Sequence, residues 1–366
     1  MKTSSTFETP VLPKYIPQLD GLRAVAILSV MFFHQQIPGF NMGWAGVQLF
    51  FVISGFLITG ILLDTKTSSH YFRNFYARRF IRIFPVYYLG LGAVIVIALI
   101  FRWGIGDVWY YVLYIQNHLL AVNNWRVQFP ALFNHSWSLA VEEQFYILWP
   151  LIIYALDVKK LKIATIFLFF FALLSRTFLL FLTQNPNLQF MILPTQVDAL
   201  AAGSFLAIIL REGNAQTLRR LSTWSTGLLL LSGMGIVALA LRTGYDAYWV
   251  PAGWGNSRSN LILFSLMSIF FASLLYVSIF SKSALKSVLE HPWLRHIGKI
   301  SYGLYLYHYP IFVSADLIAL ETVGGEPDTL YYITEVILTF GLSYLLATLS
   351  WKWFETPILK LKDRYS

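Results

Sequence analysis

Cysteine is absent from this 366-residue chain, which excludes disulfides, thiolate metal sites and a cysteine nucleophile and leaves the redox compartment open. Charge is scarce as well. Charged residues make up 12% against 57% hydrophobic, and the mean hydropathy of +0.60 lies far from the ordinary soluble mix. No Walker-type Gly-rich loop occurs, so the phosphate of a hydrolysed nucleotide is not an expected ligand. The seven histidines form no His-x-x-x-His pair with a helical acidic partner, and no metal site is expected. There is no periodic repeat and no long polar tail, so residues 1–366 are expected to form a single transmembrane domain without an additional soluble one.

What remains is a succession of apolar runs long enough to cross a bilayer. Ten spans are expected, near 20–37, 46–63, 82–101, 137–156, 162–183, 193–210, 224–241, 259–280, 299–320 and 330–354, giving an all-α polytopic membrane protein. The first run follows a polar stretch and lacks a small-x-small cleavage site, so it is expected to be a retained helix. The net charge of +9 could suggest nucleic acid, but its distribution points to topology. With the N-terminus inside, the outer segments hold only Arg102, Arg126, Arg242 and Arg258, and Arg176 lies within a span. That asymmetry places both termini in the cytoplasm. Residues 107–121 are aromatic but short for a span; crossing there would put Lys159, Lys160 and Lys162 outside. An interfacial or re-entrant outer segment is expected instead.

Several spans carry side chains that a lipid helix has little reason to hold. In the first, Arg23 and His34 stand eleven positions apart, close to three whole turns, so they share a face with roughly 16 Å between them. Ionisable groups at such depth normally line a working pathway, although Arg23 could snorkel to headgroups and His34 could be a bonded core residue. The stretch 64–85 contains Lys66, Arg73, Arg78, Arg79 and Arg82 and reads as a basic cytoplasmic loop. It suits either anionic lipid or a phosphate clamp of guanidinium forks. In HSWSLAVEEQFYILWP, residues 135–150, Glu142 is one turn from both Ser138 and Tyr146, so these three share a face, while Glu143 points elsewhere. In SYGLYLYHYPI, residues 301–311, Tyr305, His308 and Tyr309 cluster on one side, and interfacial anchoring would explain them equally well. Arg176 and Asp198 are expected to pair inside the membrane, with the adjoining DALAAG run, Ser54 and Gly55 serving close packing first.

Taken together, Arg-x10-His, the helix Phe-Phe-x-x-Ser-Gly-Phe, the Arg-Arg-x-x-Arg of YARRFIRIFPVYY, Trp-Ser-Leu-x-x-Glu-x-x-Phe-Tyr and Ser-Tyr-x-x-Tyr-Leu-x-His resemble the acyltransferase type 3 family, over nearly the whole chain. These are integral-membrane proteins that acylate cell-surface sugars and small molecules. The resemblance implies a plasma (inner) membrane enzyme moving a short acyl group, acetyl foremost, from cytoplasmic acyl-CoA to a hydroxyl of an extracytoplasmic carbohydrate or related acceptor. It implies donor binding by Arg78, Arg79 and Arg82, and a cavity lined by Ser138, Tyr146, Tyr305 and His308, with His308 on the acceptor. His34 is then expected as general base, with Arg23 at the inner end of its helix and Glu142 orienting the imidazole; an acyl-histidine intermediate is the variant. A glycolipid transporter or flippase is the alternative that the intramembrane charges permit, and a sensor that binds the donor without turnover is another.

Overall fold

The computed structural model describes residues 15–183, 185–213, 215–243, 257–280, 284–323 and 329–365; most of the polar stretch ahead of the first helix lies outside them. Every regular element among the described residues is helical. The chain runs α1 Pro17–His34, α2 Gly46–Asp64, α3 Tyr71–Ile100, the short α4 Val108–Val112 and α5 Gln116–Val122, and α6 Trp137–Ala155. It continues with α7 Val158–Leu182, α8 Pro186–Met191, α9 Leu193–Glu212, α10 Ala215–Thr243, α11 Ser257–Phe280, α12 Ala284–Leu289 and α13 Pro292–Lys299. Then come α14 Ser301–Val323, α15 Thr329–Ser350 and, after a π turn at Trp351–Glu355, α16 Thr356–Leu359 and a last 3-10 turn at Lys360–Tyr365.

Seven segments among the described residues are long and apolar enough to cross a membrane, namely those holding α2, α3, α7, α8–α9, α10, α11 and α15. α7 and α10 are the least enclosed of them, and α7 presents Phe167, Leu174, Phe178 and Phe181 outward, as lipid contact requires. The other three expected spans correspond to α1, α6 and α14, helices of 18, 19 and 23 residues. Their polar side chains lower their apolarity, and those same side chains build the site described below.

α2 sits at the centre and packs tightly on α9. A methyl group at Gly55 would overlap the carbonyl oxygen of Leu200, and one at Gly203 would overlap that of Val52. The two glycines therefore let the backbones touch, as small residues do in membrane bundles. The expected Arg176–Asp198 pair forms at 2.7 Å with both side chains fully buried. Arg176 also donates to Ser265 Oγ at 2.6 Å and to the Thr195 carbonyl.

One local reading changes, and another is given its form. The arginines expected in a loop lie on the first turns of α3, because nothing between Tyr71 and Phe84 breaks a helix and Pro85 is carried inside it; the loop itself is only residues 65–70. Residues 107–121 form two helices of 5 and 7 residues, interrupted where Tyr114 adopts φ +55°. At 1.5 Å per residue neither can span. Asn117 of α5 ties this segment to α6 and α8 through Gln144 and the Met191 carbonyl.

Candidate functional site

Where α1, α2, α3, α6 and α14 converge they enclose a chamber of about 100 Å³ whose walls include Arg23, Ser54, Arg79, Arg82, Glu142 and Glu143. α1 contributes Arg23, which lies 3.5 Å from Asp20 one turn earlier. From α3 come Arg79, its guanidinium 5.0 Å from the centre of the Tyr146 ring, and Arg82, 5.9 Å from that of Trp351. Both contacts are of the cation–π kind, which hold a guanidinium without neutralising it. Ser54 of α2 donates to Glu142 Oε1 at 2.5 Å. The C-terminal turn packs on the same region, with Arg73 5.6 Å from the Tyr365 ring. Near it, burial and the positive charge of Arg82, Arg79, Arg78 and Arg23 pull the Lys362 ammonium down to about 7. The chamber is thus rich in guanidinium donors and suits a ligand with several negative charges.

A second chamber, about 220 Å³, is lined by His34, His135, Asn134, Tyr309 and a set of aromatic rings from Trp44, Trp125, Trp137 and Phe190. Val47 and Tyr305 belong to the walls of both chambers. Tyr305 is fixed at this divide: its hydroxyl lies 2.7 Å from the His135 carbonyl and 2.6 Å from Ser138 Oγ. A carbonyl only accepts, so Tyr305 donates to His135 and receives the Ser138 hydroxyl proton. His34 Nδ1 lies 3.0 Å from His308 Nε2, and the Tyr309 ring sits edge-on at 4.9 Å from the His34 ring.

The structure therefore brings Arg23, Arg79, Arg82, Ser138, Glu142, Tyr146 and Tyr305 to one chamber and His34 to the adjoining one, as the face shared by Arg23 and His34 requires. Arg78 is not among the lining residues, since on a helix it points away from its neighbour Arg79. Glu142 was expected to orient His34, but its hydrogen bond is to Ser54, and His34 is bonded by His308 instead. His308 was expected on the acceptor, yet both of its ring nitrogens are engaged, Nδ1 with the carbonyls of Leu304 and Tyr305. Glu143 does not turn away from the site: it lines the arginine chamber, with Oε1 buried and unpartnered. Sequence reasoning put packing first and substrate contact second for Ser54, and passed over His135 and Trp125 entirely. The only signal for His135 was its place two positions ahead of the Trp-Ser-Leu motif. Among the described residues no group of three or more His, Asp or Glu side chains is placed to hold a metal ion.

The family model described as "Acyltransferase domain" matches residues 16–348. The chain is 29% identical over 366 residues to the peptidoglycan O-acetyltransferase OatA of Listeria monocytogenes, covering 95% of this chain and 56% of that protein. It is 30% identical to the O-acetyltransferase OatA of Staphylococcus aureus, over 95% of this chain and 58% of the relative. The putative peptidoglycan O-acetyltransferase YrhL of Bacillus subtilis is also 30% identical, over 94% and 55% respectively. The chain thus spans little more than half the length of each of these relatives. No solved structure matches it.

Proposed function

Because the chain belongs to the acyltransferase type 3 family and has seven segments among its described residues long and apolar enough to cross a membrane, we propose that it carries a short acyl group, acetyl foremost, from acyl-CoA on the cytoplasmic side to a hydroxyl of a cell-wall carbohydrate outside. The observation that carries this reading is the pair of chambers meeting at Tyr305 and Val47, with guanidinium groups in one and an imidazole in the other. Named relatives acting on peptidoglycan support a sugar acceptor, and the aromatic walls of the histidine chamber suit the faces of sugar rings. In this reading the membrane is the plasma membrane, α1, α6 and α14 cross it with the seven more apolar segments, and both termini are cytoplasmic.

Arg23, Arg79 and Arg82, with Lys362 close to these arginines, hold the phosphates of coenzyme A. The pantetheine arm passes Tyr305 and brings its thioester to His34. His34 Nε2 takes the proton of the acceptor hydroxyl as that oxygen forms a bond to the thioester carbon. When the tetrahedral intermediate collapses, the carbon–sulfur bond breaks and the thiolate receives the same proton from His34. An ester and free coenzyme A result, and the imidazole is restored. Glu142, held by Ser54, orders the arginine chamber.

The test uses purified protein in nanodiscs with isotopically labelled acetyl-CoA and a peptidoglycan-derived sugar. Wild type is expected to lose thioester and label the sugar, and His34→Ala to lose at least 100-fold in rate, the lower range for general base catalysis, while binding coenzyme A normally. Near-wild-type turnover by His34→Ala would sink the assignment of the base. Absence of coenzyme A binding in wild type would sink the donor.

A further inference from the structure

The hydrogen bonds of His308 fix more than its own place. Its Nδ1 lies 2.8 Å from the carbonyl oxygen of Tyr305 and 3.1 Å from that of Leu304, the residues three and four positions earlier on α14. Carbonyl oxygens only accept, so this nitrogen carries the hydrogen. The ring is fully buried, and none of its described contacts is a carboxylate that would offset a positive charge, so the neutral form is the one the site accommodates. Its Nε2 is then a bare acceptor. That nitrogen lies 3.0 Å from His34 Nδ1, which must therefore supply the hydrogen.

Resting on the acyl-transfer reading above, we propose that His308 is a positioning residue that holds His34 in the Nδ1–H tautomer and so presents the bare Nε2 to the histidine chamber. His34 is only partly buried and lines that chamber, so the presented nitrogen is open to it. Without a partner on Nδ1 an imidazole places its hydrogen on either nitrogen, and the form with Nε2–H has no lone pair to offer the acceptor. The edge-on Tyr309 ring and the Phe312 ring, its centre 6.4 Å away, limit rotation of His34 about its own axis. The relation parallels the orienting carboxylate of an acid–histidine pair, with one difference. A neutral imidazole directs the base without adding a negative charge to a site inside the bilayer. Because both nitrogens of His308 are used in this way, none is left for the acceptor.

The experiment compares wild type, His308→Phe and His308→Gln. Phe keeps a flat ring and removes the acceptor; Gln places an amide near the position of the lost Nε2. Histidine-selective 15N spectra of the full chain in nanodiscs, with the His34 signals identified by their loss in His34→Gln, are expected to show a protonated Nδ1 and bare Nε2 in wild type. In His308→Phe the His34 signals are expected to move towards the Nε2–H form, and kcat to fall about 100-fold with both KM values within about threefold. Gln is expected to recover at least a tenfold part of that loss. A wild-type His34 that carries its hydrogen on Nε2 overturns the proposal, as does a His308→Phe protein with wild-type kcat or with a loss confined to acceptor KM. The spectra need no substrate. If labelled acetyl-CoA is never turned over, the acyl-transfer reading fails while the tautomer is still decided; if turnover is normal and the tautomer is the other one, only His308's role fails.

Discussion

Lys362 was not singled out in the sequence, where it is one lysine in a basic C-terminal segment. The structure sets it beside four arginines from α1 and α3, and burial together with their charge brings it down to about 7. α15 and the turns after it run 37 residues from Thr329 to Tyr365, far longer than the roughly 20 that a bilayer needs. The expected span ends near 354, so in the proposed topology the final turn with Lys362 stands beyond the hydrocarbon, where protons exchange with water. A polyphosphate bound among these cations favours the charged lysine and raises its pKa again. Binding then takes up protons at and above pH 7, and affinity falls as pH rises from 7 to 9. Calorimetry of coenzyme A binding in buffers of different ionisation enthalpy is expected to show this uptake in wild type and not in Lys362→Met. Arg78, adjacent to Arg79 in sequence but outside the chamber lining, shows the limit of motif reading at this scale. A motif gives residue types and spacing, whereas the helical turn decides which of two neighbours faces inward.

At the scale of elements, apolarity told most of the story. The helices expected at 46–63, 162–183, 193–210 and 259–280 appear close to their expected limits because an uninterrupted apolar run has few alternatives in a membrane. The arginine-bearing stretch was misjudged as a loop because charge was weighed over the absence of any helix breaker, and α3 begins well before its apolar part. Contacts between distant helices were another matter. Ser54 and Glu142 are 88 positions apart, and His34 and His308 are 274 apart; neither pairing leaves a periodic trace in one sequence. Arg176 and Asp198 could be paired because both were charges on neighbouring hydrophobic spans, where isolation is costly. Arg176→Met leaves Asp198 fully buried without its cation and is expected to destabilise by about 3–5 kcal/mol. The double change Arg176→Met with Asp198→Leu is expected to recover most of that loss in thermal unfolding of the detergent-solubilised protein.

For the molecule as a whole, the two chambers pose a problem that a soluble transferase never meets. In the proposed reading a passage for the pantetheine arm joins the two sides of an energised membrane, and anything that wets such a passage end to end discharges the proton gradient. In that reading the Tyr305 hydroxyl, held between Ser138 and the His135 carbonyl, is the group that closes the divide between the chambers. A slender chain could displace that side chain only while filling the space itself. Tyr305→Ala removes the plug, so vesicles carrying this variant are expected to dissipate an imposed pH gradient faster than wild-type vesicles, and bound coenzyme A to slow the leak. Equal leak rates in the two proteins would show that the barrier lies elsewhere. Under the proposed reading a Tyr305 plug would make the protein part of the cell's insulation, and selection on that residue would answer to bioenergetics as much as to acyl transfer.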